Sequence, residues 1–362
     1  MLGASPDKEA LLKEPIRGLI AMGNIAFHRE DHGEANPKAD LELLSRFPCV
    51  FSGIVVNVAW SQLEPKPGVL DTRVLDEALS AIRAYNTKHP DHHLGIRLRV
   101  WPGVTAPVWA KHLGGEPVTV FHKDRPVTCG RFWSLPYRKA WRDFLTRLSV
   151  KYDKEPLIRE ISNTSGSTIT DEVTLLSGKP EAVTNMLKAG FSDQAFQDTL
   201  LQSVDDYAGW GTTLVECICN PYRRIDSGRT KQDPDFLIRL MKHWAKEFGD
   251  RTIFGNHAFQ APPADHIKYL YREMQRSRAA ITFQTHSPNG LRWDESIRAA
   301  SQFGAQSLEL WSGTRFGGYE AQGVEKLAAW AKLFQPDAEL EGAGRPATRS
   351  ESGSKGGDKP KK

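Results

Sequence analysis

An apolar stretch that runs straight into a polar loop, and then into an amphipathic helix, recurs along this chain. That recurrence restricts the fold more than any other feature. The clearest copy starts at Val55-Val56-Asn57-Val58-Ala59 and passes through Trp60-Ser61-Gln62-Leu63-Glu64-Pro65-Lys66-Pro67-Gly68-Val69-Leu70-Asp71. It continues with Val74, Leu75, Ala78, Leu79 and Ile82 at helical spacing. The β-branched run reads as a buried strand, Pro and Gly punctuate the loop, and apolar residues three and four apart give the helix one buried face.

Seven further strands are expected at 18–24, 94–101, 157–162, 213–218, 252–257, 280–286 and 307–311, with helical patterns between them. The helix near 40–47 has Asp40 placed to cap it, and Asp233 with Pro234 makes a good start for the helix after the fifth strand. Trp141, Phe144, Leu145, Leu148 and Tyr152 line one face of the helix after the third strand, and 180–190, 193–207 and 321–334 are also expected to be helical. Helical connections imply a parallel sheet, and eight strand–loop–helix units imply a closed (β/α)8 barrel, an α/β TIM barrel. A doubly wound open sheet is the alternative, but it wants a glycine-rich phosphate turn after an early strand, and none occurs. The expected organisation is a lead-in at 1–15, one barrel domain at 16–336 and a disordered Gly/Lys-rich tail at 337–362.

Composition narrows the function. The net charge of +4 is matched by the tail, where six basic residues face two acidic ones after Gly342, so the body is formally neutral. That balance does not suggest a nucleic-acid partner. No run of about 18 apolar residues suggests a membrane span, and no apolar leader reads as a signal peptide. A soluble protein follows, cytoplasmic by default, with export left open. Cys217 and Cys219 alternate onto one strand face and read as two buried structural thiols. No cofactor is implied, and oligomeric state is not readable.

In a barrel of this kind chemistry gathers at the C-terminal strand ends. Those ends supply His28, Asp31, His32, Trp60, Glu64, Arg99, Trp101, Trp109, Asn163, Asp171, Glu172, Glu216, Asn220, His257, Gln284, His286, Glu309 and Trp311. Two signals stand out. Indoles stack on the apolar faces of sugar rings, and Trp60, Trp101, Trp109, Trp133 and Trp311 all fall at strand ends or in the loops after them. Paired carboxylates can cleave a glycosidic bond, one as acid and one as base or nucleophile. Glu172, beyond the fourth strand, is the acid/base candidate. Glu309 alternates with Leu308 and Leu310 and faces inward with Trp311, where an unpaired charge is expensive, so it needs a role or a partner such as Arg97 or Arg99. Glu64, beside Pro65, reads as a turn cap. Glu216 faces either the lumen or a helix, according to a strand register that the sequence does not fix.

The segment from Trp60 to Asp71 resembles the second-strand region of clan A glycoside hydrolases, the family 42 β-galactosidases and family 5 glycanases in particular. Arg97-Leu98-Arg99-Val100 with Ala106-Pro107-Val108-Trp109 is similar to their third strand and its loop, and Trp311 resembles their sugar-platform tryptophan. The resemblance implies a TIM barrel acting on a carbohydrate. It also marks departures. The clan carries its acid/base glutamate directly after an asparagine at the end of strand four, whereas Asn163 is followed here by Thr164. The clan's nucleophile is a glutamate at the end of strand seven, where this chain has Gln284. The expectation is therefore a glycosidase with Glu172 and Glu309 as its carboxylates. Trp60, Arg99, Trp101, Trp109, Asn163, His257, Gln284, His286 and Trp311 are its substrate-binding residues. A noncatalytic carbohydrate-binding barrel is the first alternative. A metal-dependent isomerase or hydrolase using His28, His32, His257 or His286 with a glutamate is the second, though no tight metal-ligand spacing supports it. A phosphate-binding barrel has only Gly313 and the Gly317-Gly318 pair in its favour.

Overall fold

The computed structural model describes residues 11–22, 25–27, 33–35, 37–122, 124–169, 172, 179–227, 231–285, 292–312 and 318–335. The expected tail, and His28, Asp31, His32, Asp171, His286, Gly313 and Gly317, lie outside the described residues.

Eight parallel strands close into a barrel: β1 Gly18–Met22, β2 Phe51–Ala59, β3 Gly95–Trp101, β4 Ile158–Ser162, β5 Leu214–Ile218, β6 Thr252–Phe259, β7 Ala280–Thr285 and β8 Ser307–Leu310. Each strand pairs with its successor, and β8 pairs with β1, so the sheet has no edge and the open-sheet alternative falls. The principal helices are α1 Pro37–Leu44, α2 Arg73–Lys88, α3 Leu135–Tyr152, α4 Asp193–Leu201, α5 Pro234–Phe248, α6 Lys268–Arg276, α7 Trp293–Gln302 and α8 Val324–Ala331. A further helix, Pro180–Lys188, precedes α4. α5 starts as its sequence dictates: the Asp233 side chain accepts from Phe236 N at 2.9 Å, and Pro234 needs no donor in the first turn. Among the described residues no helix is long and apolar enough to cross a membrane.

Period-two alternation divides every strand between two environments. Outward residues such as Val56, Val58, Leu98, Val100, Ile161, Phe283 and Leu308 join the helix faces (Leu75, Leu79, Ile82, Leu145, Leu148, Leu240) in one continuous apolar core. Cys217 and Cys219 belong to this outer layer, both buried and free, and burial pushes both thiols up. Inward residues line the lumen.

The floor of the lumen is supplied by the segment before β1. Lys13 N donates to Thr212 O at 3.0 Å, and Lys13 Nζ donates to Ile158 O and Thr213 Oγ1 at 2.8 Å each. Ile16, fully buried, packs with Ile20 and Val55 as a small apolar plug. Gly53 and Gly95 leave room for it. A Cβ on either would stand 2.9 Å and 3.1 Å, respectively, from Ile16 side-chain carbons. Two antiparallel hairpins ornament the barrel: Ile25–Phe27 with Gly33–Ala35, and Val118–His122 with Arg125–Cys129. The second lies in the stretch after β3 that reads from sequence as Gly- and Pro-rich loop. Asn185 Nδ2, from the helix ahead of α4, donates to Thr119 O at 3.1 Å and ties that hairpin to the β4–α4 connection.

Candidate active site in the barrel lumen

Above the apolar plug the lumen becomes ionic. The alternation Gly95-Ile96-Arg97-Leu98-Arg99-Val100-Trp101 sends both arginines inward, and the register sets Val55 beside Arg97 and Asn57 beside Arg99. An irregularity in the β3–β4 ladder between Ile96 and Arg97 brings Glu160 opposite Arg97. Ser162 then lies beside Glu216, and Gln284 beside Glu309.

Arg97 forms the lower tier. Its Nε donates to Glu160 Oε2 at 2.8 Å, and its Nη2 donates to Thr282 Oγ1 at 3.0 Å. Its Nη1 stands 2.7 Å from Glu216 Oε1 and 3.3 Å from Glu309 Oε2. Glu160 also accepts from Ile16 N at 2.8 Å, so the plug and the ionic tier are bonded together. Arg99 forms the upper tier. It grips Glu309 with two parallel bonds, Nη1 to Oε1 at 3.1 Å and Nη2 to Oε2 at 3.0 Å. The same Nη2 stands 3.4 Å from Glu216 Oε2 and 3.5 Å from His257 Nε2, and Nε donates to Ser162 Oγ at 3.3 Å. Ser162 Oγ in turn donates to Glu216 Oε2. With its amide nitrogen turned toward β8, Gln284 donates to Glu309 Oε1 at 3.0 Å.

All of these carboxylates and guanidiniums are enclosed; Glu216 and Glu309 have 0% exposure. Burial pushes the Glu309 carboxyl up, but Arg99, His257 and Arg97 outweigh it and hold the group below its ordinary range. Glu160 goes the other way: burial dominates, and its carboxyl is raised despite Arg97.

Two half-buried indoles sit one pleat above this layer. Trp101 follows Arg99 and donates its Nε1 to Asn57 Oδ1 at 2.8 Å; Trp311 follows Glu309 and donates to Thr285 O at 2.8 Å. Arg99, Trp101, His257, Gln284, Glu309 and Trp311 are thus brought to one region, as their strand-end positions imply.

Other candidates go elsewhere. Trp60 has 0% exposure and sits in the helix layer among Trp109, Tyr137, Trp141 and Phe144, with ring centroids 5.1–5.6 Å away. It offers no face to a ligand. Glu64 is its hydrogen-bond acceptor (Trp60 Nε1, 2.8 Å), accepts Gly68 N at 2.7 Å and pairs with Arg147 of α3, so it is a turn cap and a loop-to-helix clamp. Trp109, half-buried, donates to Glu64 O at 3.2 Å and packs on Trp60. Asn163 lies one residue past an inward Ser162 and therefore points outward, donating to Ser203 Oγ at 2.8 Å. Strand parity removes it from the lumen. Glu172 is half-buried in the loop after β4.

Arg97, Glu160 and Ser162 are site residues that the strand-end criterion misses, and the β4–β5 register gives Glu216 its inward face. A signal for them is present in the sequence: arginine at alternate positions of an otherwise apolar strand marks a polar lumen. Glu216, His257 and Glu309 offer donor atoms within 4.8 Å of one another, a spacing that could hold a cation. Arg99 Nη2 already stands among all three.

No family model matches the sequence, and no curated protein matches it. Solved structures do. An endo-β-1,4-glucanase from Xanthomonas axonopodis pv. citri is similar at 10% identity, over 88% of this chain and 99% of that one, with a TM-score of 0.52. XacCel5A in complex with cellopentaose matches at 11% identity, over 88% and 100%, with a TM-score of 0.50. A β-galactosidase from Rahnella sp. R3 matches at 14% identity, over 91% of this chain and 57% of that one, with a TM-score of 0.50. These structural neighbours are clan A glycoside hydrolases, and what they share with this chain is the eight-stranded parallel barrel.

Proposed function

We propose, from the barrel shared with clan A glycoside hydrolases, that this protein hydrolyses a glycosidic bond at the C-terminal mouth of its lumen. One observation carries the reading: Glu309 is a carboxylate held ionised by a bidentate guanidinium, on the strand that Trp311 directly follows. An ionised carboxylate beside a sugar platform is what attack on an anomeric carbon requires. In the proposed reaction Glu309 attacks that carbon, or stabilises its positive charge, as the bond to the leaving oxygen breaks. Glu172 delivers the proton to that oxygen and then takes one from the incoming water. Trp101 and Trp311 stack on sugar faces, and Arg99, His257 and Gln284 order the polar groups around the reacting carbon.

A second reading, a barrel that binds carbohydrate without cleaving it, is favoured by the 0% exposure of Glu309 and by Gln284 on β7. A panel of aryl glycosides assayed with wild type, Glu172→Gln and Glu309→Gln decides between them. Hydrolysis predicts turnover in wild type and a loss of about 10²–10⁴-fold in each variant, the range typical of a missing general acid or base. Sugar binding by wild type without turnover supports the second reading. Turnover that survives both substitutions overturns the carboxylate assignment. Thermal melts of the variants guard against loss through unfolding.

A further inference from the structure

We infer that Arg99 is a built-in cation, its guanidinium standing where the side chains of Glu216, His257 and Glu309 would otherwise hold a divalent metal ion. Three observations meet here. The donor set, two carboxylates and an imidazole on β5, β6 and β8, has ligand chemistry suited to zinc or a similar ion, and its atoms lie within 4.8 Å of one another. A single nitrogen, Arg99 Nη2, stands 3.0 Å from Glu309 Oε2, 3.4 Å from Glu216 Oε2 and 3.5 Å from His257 Nε2. It therefore contacts every member of the set.

The third observation is charge. In the described lumen three carboxylates (Glu160, Glu216, Glu309) face two guanidiniums (Arg97, Arg99), one carboxylate more than there are guanidiniums. A divalent ion added to that set would overcompensate it and stand against a guanidinium at close range. Without Arg99 the excess becomes two carboxylates, the number that matches one divalent ion. The oxygens and nitrogen now held at hydrogen-bond distance would need to close in by roughly 1 Å to reach metal–ligand lengths of about 2.0–2.2 Å. Deleting the guanidinium makes the room. None of this depends on glycoside turnover, since it concerns only what neutralises the cluster.

The test is Co²⁺ binding by full-length wild type, His257→Ala, Arg99→Ala, Arg99→Lys and the double variant Arg99→Ala with His257→Ala. Bound metal is measured after gel filtration, and the ligand field is read from visible absorption. Arg99→Ala is expected to retain about one equivalent more than wild type, the stoichiometry of a single site. Arg99→Lys, which keeps the charge, is expected to behave as wild type, and the double variant to lose the added equivalent. If Arg99→Ala is unfolded alone, Zn²⁺ is expected to restore its folding, because binding energy at such a site is folding energy. Three results would overturn the inference. One is a His257-dependent cobalt spectrum in wild type. Another is a folded Arg99→Ala with no added equivalent. The last is an Arg99→Ala chain that stays unfolded both with and without Zn²⁺.

Discussion

Asp206 is 4% exposed, accepts from Ser165 Oγ at 2.8 Å and pairs with Arg142 Nε at 3.1 Å. Burial dominates over these bonds and pushes its carboxyl up to about 6. The consequence for stability has a definite sign. A carboxyl raised in the folded state holds its proton through a range in which the unfolded chain, with an ordinary value of 3.8, has released it. Folding therefore takes up a proton between about pH 4 and 6, and stability falls as pH rises through that window. A rise of that size corresponds to at most ~3 kcal/mol. Asp206→Asn cannot titrate, so its stability relative to wild type is expected to improve from pH 4.5 to pH 8. Urea unfolding of both proteins across that range measures it. A difference that does not change with pH would mean that Asp206 is ionised throughout, with Arg142 outweighing burial.

Among the elements, the segment before β1 has a larger role than its sequence suggests. Residues 1–15 read as a lead-in and Ile16, at the start of the barrel domain, carries no strand pattern, yet Ile16 closes the lumen floor and its N–H reaches Glu160. Nothing local announces this, because the partners are Gly53 and Gly95, distant in sequence and informative only through the space they leave. The strands themselves are largely readable, since buried parallel strands carry dense apolar runs and their loops carry Pro and Gly; β2 is the exception, read from Val55 but beginning at Phe51. The hairpin Val118–His122 with Arg125–Cys129 is not, because its short alternating strands sit within a Gly- and Pro-rich background. Ile16→Ala is expected to lower stability by about 2–4 kcal/mol, the range for a large-to-small change at a site that cannot collapse. Denaturant titration checks it. A loss under roughly 0.5 kcal/mol, the size of a surface change, would show that the plug is not part of the cooperative fold.

At the scale of the molecule, the barrel is two cores with one wall between them, apolar outside and ionic within. The sequence displays the outer core directly. It displays the inner one only through parity: Arg97, Arg99, Glu309 and Trp311 can be assigned a common face, while Asn163 and Trp60 cannot be separated from them without knowing where each strand ends. A lumen built on charge should fail differently from an apolar one. Arg97 bonds Glu160 and stands within 3.3 Å of Glu216 and Glu309, all enclosed, so Arg97→Met leaves Glu160 without a counter-ion and Glu216 and Glu309 with Arg99 alone. That change is expected to cost about 3–5 kcal/mol. With Arg97 gone, burial acts on Glu160 opposed chiefly by the Ile16 N–H, so its carboxyl rises further and the loss is greatest at high pH. Adding Glu160→Gln removes the stranded charge and should restore roughly 1–3 kcal/mol, a coupling of the size found between contacting residues. A double-mutant cycle by urea unfolding at pH 6 and pH 8 reads both effects. Additive losses that do not change with pH would mean that Arg97 contributes through packing alone and that Glu160 is neutral in the native protein.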